Sequence, residues 1–293
     1  MVQRGRAGHS GEPALPGRLY EGYLFDLDGT IYLGDELLPG VGRLIPRLRD
    51  LGKRVVFLSN NATRDPQMYA EKLGRLGLET PASEIVNTVV TMTQWLLRNH
   101  PDATVFPISE EPLKNSLGEA GIRMSENPEE IDIVIASYDR TFEYRKLQIA
   151  FDAIWYYKRA MLVTTNIDRY CPFPGGRGEP DAAAIVAAIE ACTGTKCRVN
   201  VGKPGSIMLE TVMDRIGLHP RDCLICGDRL YTEVRMAKNA GMSSAIVLTG
   251  ETTEKDLTEE PQENQPDYVL ERIDQLIPRD LRPGFGWEGG ARQ

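Results

Sequence analysis

Apolar residues recur along the chain as short unbroken runs separated by stretches of helical spacing. Tyr23-Leu24-Phe25, Val55-Val56-Phe57-Leu58, Thr104 to Ile108, Ile131 to Ser137, Met161 to Thr165, Cys223 to Cys226 and Ala245 to Leu248 each read as a strand, and Tyr268 to Leu270 as a late one. The runs do not alternate with polar residues. Both faces of each strand are therefore expected to be covered, as in a parallel sheet. Between them, residues 41–51, 65–76, 84–99, 112–120, 143–158, 180–192, 206–216 and 232–240 carry apolar residues at helical intervals, with Gly77, Gly217 and Gly241 as stops. Strands alternating with helices predict βαβ units and an α/β fold. The acidic stretch 251–265 reads as a solvated surface loop, and Tyr138 and Tyr144 as packing residues.

Composition narrows the partners. The 293 residues carry 34 basic and 42 acidic side chains, a net charge of −8. A broad basic surface for nucleic acid is not expected. No window holds about 18 consecutive apolar residues, so no membrane span is expected. Residues 1–18 are rich in Gly, Arg and Pro and lack the apolar stretch of a secretory leader, so they read as a flexible tail, as do residues 280–293. Five Cys, an odd number without an export signal, suit reduced thiols in a cytoplasm. Cys223 and Cys226 stand three apart on a strand and face opposite ways, which favours core thiols over a redox or metal pair. The three histidines, His9, His100 and His219, lie in the tail or beside prolines, so no histidine triad or histidine-rich metal site is expected.

Four polar positions share one place in the pattern. Asp26 follows the first strand, Ser59 the second, Lys203 the segment Val199-Asn200-Val201-Gly202, and Asp228 the strand Cys223 to Cys226. In an open parallel sheet the carboxyl ends of the strands form one edge, where ligands bind. Taken singly, each residue is as readily a loop residue; together they predict one site. Asp26 and Asp28, two apart, point to one side of an extended segment. Paired carboxylates force one to hold a proton unless a cation lies between them. With no Cys or His nearby, all-oxygen ligation favours Mg²⁺. Ser59-Asn60-Asn61 offers a hydroxyl, amides and backbone N–H groups ahead of a helix, donors that suit phosphate. Lys203 would act on phosphate as a point charge. Glu233, in the first turn of its helix, reads on its own as a helix-dipole residue.

Asp26-Leu27-Asp28-Gly29-Thr30, Ser59-Asn60-Asn61, Val201-Gly202-Lys203-Pro204 and Gly227 to Glu233 resemble, in order, the four motifs of the haloacid dehalogenase superfamily. The segments 165–176 and 179–185 resemble its NagD-like and p-nitrophenylphosphatase-like members. The resemblance covers about residues 23–276. It implies a Rossmann-like doubly wound parallel-sheet core at 19–82 and 180–279, with an inserted α/β cap domain at 83–179. The spacing agrees: from Ser59 to Lys203 the chain far exceeds the roughly 30 residues one crossover needs. Pro81 and the stretch Pro172 to Gly176 suit hinges.

The implied activity is a Mg²⁺-dependent phosphatase acting through an aspartyl-phosphate. Its small phosphorylated metabolite would be a sugar phosphate, glycerol phosphate, phosphoglycolate, nucleotide or pyridoxal phosphate. Asp26 would be the nucleophile and Asp28 the acid and base. Asp26, the Asp28 carbonyl and Asp228 would hold the metal. Ser59, an N–H near Asn60, Asn61 and Lys203 would hold phosphate. The fourth motif of such proteins ends in Asp; here Glu233 stands in its place and is expected to act behind the metal ligands. Asn166, Asp168 and Arg169, in the returning linker, are candidates for substrate choice, as more weakly are Asp139 and Arg140. No nucleic-acid or membrane partner is implied, whereas a homodimer is common in such proteins. A phosphotransferase or mutase using the same aspartyl-phosphate, and a binding protein without turnover, stay open at this stage.

Overall fold

The computed structural model describes residues 15–173 and 176–287. The parts of the two expected tails at 1–14 and 288–293, and linker residues Pro174 and Gly175, lie outside the described residues. The chain packs as two compact units: residues up to Val55 together with those from Leu218 onward, and Val56–Gly217. It passes from one to the other inside the strand Arg54–Ser59 and returns after the helix Ser206–Ile216.

In the first unit four strands pair in parallel, in the order Tyr268–Leu270, Ser243–Val247, Cys223–Gly227 and Gly22–Asp26. Tyr23, Leu24 and Phe25 are fully buried, as are Cys223 to Cys226. This is what their unbroken apolar runs require. The helix Val41–Asp50 turns Val41, Leu44, Ile45 and Leu48 inward. Beyond residue 280 the described chain is anchored: Arg47 lies over the Phe285 ring and Arg43 over the Trp287 ring.

In the second unit the strand Arg54–Ser59 pairs in parallel with Ile85–Asn87. A five-stranded parallel sheet follows, in the order Val199–Asn200, Met161–Thr164, Ile133–Ala136, Thr104–Ile108 and Arg123–Met124. Successive residues point to opposite faces. Val105, Ile133, Ile135 and Val163 join Met92, Leu96, Leu113 and Leu117 from two helices. Phe106, Ile108, Val134, Ala136 and Leu162 join Ile149, Ala153, Ile185 and Ile189 on the other side. Apolar contacts on both faces account for strands that read as continuous apolar runs.

The elements depart from the sequence reading in a few places. The window 84–99 is split: Ile85–Asn87 is a strand, and the helix starts at Thr88 because the Asn87 side chain accepts the Val90 N–H at 3.2 Å. The acidic stretch 251–265 contains a helix, Glu254–Glu259, started by a reciprocal capping box between Thr253 and Asp256. The window 143–158 is an α-helix, Tyr144–Phe151, continued by a π-helical turn, Asp152–Tyr156. Tyr138 is buried, but Tyr144 is 78% exposed and packs against no core. Five residues before Ile149, it lies on the far side of the helix. Among the described residues no helix is long and apolar enough to cross a membrane.

Candidate active site

Each unit holds two of the four polar strand ends. In the first, Phe25 lies beside Cys226, so Asp26 is level with Gly227 and Asp228 stands one residue further. Neighbouring strands lie about 4.8 Å apart, which puts the two carboxylates at adjacent strand ends. After Asp26 the chain doubles back. Leu27 turns into the core, and its carbonyl accepts the N–H groups of Thr30, Ile31 and Tyr32 at 3.3, 2.9 and 3.2 Å. Asp28 is exposed on this turn, and Tyr32 Oη donates to its Oδ2 at 3.1 Å.

Asp228 is 3% exposed and held from the loop after the strand Ser243–Val247. The Glu251 N–H donates to its Oδ2 at 2.7 Å, while the N–H and Oγ1 of Thr252 donate to its carbonyl at 3.0 and 2.6 Å. Thr249 Oγ1 donates to the Gly29 carbonyl at 2.8 Å, tying the same loop to the Asp28 turn. The sequence reading passed over these residues. They too follow a strand, Ala245 to Leu248, so the positional rule that found Asp26 and Asp228 contained the signal.

Arg229, inside the fourth motif, sets a cation beside these carboxylates. Its Nε pairs with Glu251 Oε2 at 2.9 Å. Burial alone would lower the guanidinium, but Tyr231 and the carboxylates of Asp228, Asp26 and Glu251 outweigh it and hold the group above its ordinary value. Beneath the strand end, burial first, then the charges of Glu233, Asp228 and Asp26, push the Cys226 thiol well above its ordinary value. That thiol stays protonated, as befits a core residue. Glu233 is 1% exposed in the π-helical turn Leu230–Val234, and Thr232 Oγ1 donates to its Oε2 at 2.7 Å. Its side chain lies along the Gly227 backbone, where a Cβ on Gly227 would overlap it.

In the second unit Ser59 Oγ accepts the Asn61 N–H at 3.1 Å and shares a 2.9 Å hydrogen bond with the buried Tyr69 hydroxyl. Asn61 Oδ1 accepts both the N–H and the Oγ1 of Thr63, at 2.8 and 2.7 Å, and so shapes the turn. The helix beyond starts at Pro66 and is capped by the Asp65 carboxylate, which accepts the Met68 N–H. Asn60, Asn166, Asp168 and Lys203 are brought together. Asn60 Nδ2 donates to Asp168 Oδ2 at 2.9 Å and to the Lys203 carbonyl at 3.1 Å, and the Lys203 N–H donates to Asn60 Oδ1 at 2.8 Å. Asn166 Nδ2 donates to the Asn60 carbonyl at 3.1 Å, and the Asp168 N–H donates to Asn166 Oδ1 at 2.9 Å. Arg169 is exposed. Asp139 is paired with Lys146 at 2.6 Å, and Arg140 with Glu110 at 2.6 Å.

Among the described residues no three His, Cys, Asp or Glu side chains gather as a metal cluster.

Comparison with known proteins gives the family. Residues 23–123 match the haloacid dehalogenase-like hydrolase family model, and residues 200–276 a related model of HAD-like hydrolases. The sugar-phosphatase AraL of Bacillus subtilis is 35% identical over 86% of this chain and 90% of its own length. The crystal structure of a 4-nitrophenylphosphatase from Thermotoga maritima superposes with a TM-score of 0.82 at 34% identity, covering 88% of this chain and 96% of that one. A glycerol phosphate phosphatase of Mycobacterium tuberculosis, solved in complex with magnesium, gives 0.79 at 28% identity, with 88% and 76% covered. The chain belongs to the haloacid dehalogenase-like hydrolases, in their NagD-like and p-nitrophenylphosphatase-like branch.

Proposed function

We infer that the protein hydrolyses small phosphate monoesters, of the sugar-phosphate or glycerol-phosphate kind, through a phosphorylated Asp26. The observation that carries this is the pairing of Asp26 and Asp228 at adjacent strand ends, with Asp28 exposed on the turn that follows. The kinship with a sugar-phosphatase, a 4-nitrophenylphosphatase and a glycerol phosphate phosphatase supports it.

Asp26 is the nucleophile; as a carboxylate at neutral pH it needs no base. One of its oxygens bonds to phosphorus as the ester P–O bond breaks, dividing one hard step into two easier ones. Asp28 gives its proton to the departing alkoxide and then takes one from the water that attacks the aspartyl-phosphate. Such acid–base help is typically worth roughly 10²–10⁴-fold. Tyr32 Oη, on Asp28 Oδ2, holds that carboxyl in place. Ser59, the Asn60 N–H, the Asn61 segment and Lys203 hold the phosphoryl oxygens. The hydrogen bond shared with the Tyr69 hydroxyl holds Ser59 Oγ in place for that role.

The donors of the first unit fit a hard divalent cation. Asp26, Asp228 and the Asp28 carbonyl offer oxygen only, and the one thiol nearby is kept protonated. Mg²⁺ bound there supplies charge neutralisation of the phosphoryl oxygens. Residues 83–179 would form the cap that closes over the substrate; four of the five strands of the second sheet lie within that range. Asn166, Asp168 and Arg169 lie near its exit. A cytoplasmic homodimer belongs to the same reading.

The test is phosphate release from p-nitrophenyl phosphate and a panel of sugar and glycerol phosphates, with Mg²⁺ and with EDTA, for the wild type and Asp26→Asn. Mg²⁺-dependent release in the wild type, lost in a folded Asp26→Asn, is expected. Equal release by the variant would sink the nucleophile assignment.

A further inference from the structure

Asn60 reads from the sequence as a phosphate donor, but its side chain is spent elsewhere. A carboxamide has two N–H donors and one acceptor oxygen. Both ends face one residue: Nδ2 donates to the Lys203 carbonyl, and Oδ1 accepts the Lys203 N–H. Asn60 thus grips the main chain of Lys203 on both sides, as a neighbouring strand would. The other Nδ2 hydrogen goes to Asp168, whose own N–H is held by Asn166, and Asn166 in turn donates to the Asn60 carbonyl. Thr88 Oγ1 donates to the same carbonyl at 2.8 Å. Gly202 makes the approach possible, since a Cβ there would stand 2.7 Å from Asn60 Oδ1 and overlap the Thr165 carbonyl. Asn60, Asn166, Asp168 and Lys203 are all buried.

We propose that Asn60 is a positioning residue, a latch through which the returning linker at 166–168 sets the place of Lys203. Only an amide can fill it. A carboxylate in its place could not donate to the Lys203 carbonyl and would set a second buried negative charge against Asp168. The Lys203 ammonium is aimed by a main chain that Asn60 fixes, and Asn60 is oriented by Asp168. A shift of residues 166–168 is therefore felt at Lys203. The latch rests on the reading that Lys203 binds phosphate.

The experiment measures kcat and KM for p-nitrophenyl phosphate, the inhibition constant of inorganic phosphate, and Tm. The variants are Lys203→Ala, Asn60→Ala, Asp168→Ala, Asp168→Asn and Asn60→Ala/Asp168→Ala. Asn60→Ala is expected to raise the phosphate inhibition constant and KM about tenfold, the factor that corresponds to about 1.4 kcal/mol. Asp168→Ala raises them less, and Asp168→Asn, which keeps an acceptor oxygen, restores most of that loss. The double variant matches Asn60→Ala, because Asp168 acts through Asn60. A merely structural role would lower Tm and leave the inhibition constant alone; that result in Asn60→Ala and Asp168→Ala overturns the latch, as does multiplicative loss in the double. If Asn60→Ala does not fold, the two Asp168 variants carry the test. An unchanged inhibition constant in Lys203→Ala overturns the phosphate role of Lys203 and the latch with it; a raised one beside an unaffected Asn60→Ala overturns the latch alone.

Discussion

Gly227 and Glu233 share one space, and exchanging a methylene between them should expose it. A Cβ built on Gly227 would lie 2.5 Å from both Cδ and Oε2 of Glu233, and closer still to its Cγ. Glu233 cannot swing away, being 1% exposed and bonded to Thr232. The Gly227 backbone is not in the left-handed region, so alanine is refused by packing alone. Overpacking of this kind costs about 2–3 kcal/mol. At roughly 2–4 °C per kcal/mol for a large domain, Gly227→Ala lowers Tm by about 5–10 °C. Glu233→Asp removes a buried methylene, at about 1 kcal/mol, and the Thr232 hydrogen bond, at about 1 kcal/mol more. Added independently, the two changes cost about 4–5 kcal/mol. In Gly227→Ala/Glu233→Asp, however, the new methyl occupies the space of the lost methylene, and the expected cost is about 1–2 kcal/mol, a coupling near the top of the range for touching residues. Urea unfolding followed by tryptophan fluorescence measures all three. A double variant as unstable as the sum of the singles would refute the shared space. Because Asp228 follows Gly227 directly, turnover of p-nitrophenyl phosphate should fall in Gly227→Ala and recover in the double.

Thr252→Val keeps the shape of the side chain but removes the 2.6 Å hydroxyl donor to the Asp228 carbonyl. A loss of about 1 kcal/mol follows, and the Mg²⁺ concentration giving half-maximal activity rises several-fold; an unchanged Mg²⁺ dependence speaks against the clamp. The Asp139–Lys146 pair gives a pH dependence of stability. Burial would raise the Asp139 carboxyl, but hydrogen bonds from Lys146 and Thr141 outweigh it and hold the group below its ordinary value. A depressed folded value stabilises above the unfolded value of about 3.9 and is lost as pH falls through the folded one. The stability gap between wild type and Asp139→Asn is thus widest above about pH 5 and narrows below about pH 4; a gap constant across that range contradicts the pairing.

What the sequence revealed follows from the range of each interaction. Unbroken apolar runs disclosed parallel strands because both faces are covered, and Asp26 and Asp28 were visible because two carboxylates in three residues are a local event. Ile85–Asn87 was hidden because three apolar-rich residues ahead of a helix share its periodicity, and only the Asn87 cap separates them. The helix at Glu254–Glu259 was obscured by acidity, although Thr253 and Asp256 spelled out its capping box. The Asn60 network could not be seen, because its partners stand at 166, 168 and 203. Of the clamp on Asp228, the sequence held only the place of Glu251 and Thr252 after a strand; the hydrogen bonds themselves exist only once two strand ends lie side by side.

The first unit closes on itself across everything that intervenes. Gly22 pairs with Cys223, so one edge of the strand carrying Asp26 lacks its partner until Cys223–Gly227 is made. At about 5–20 residues per second, synthesis leaves that strand waiting roughly 10–40 s. Throughout, that one edge of the strand, with its apolar residues Tyr23, Leu24 and Phe25, is open to mispairing. Residues 56–217, by contrast, contain all five strands of their second sheet and both of its covering clusters. They can condense while the rest of the chain is still being made. On the ribosome this protein should therefore fold from its middle outward, and the strand bearing Asp26 is completed late, on the edge that meets Cys223–Gly227.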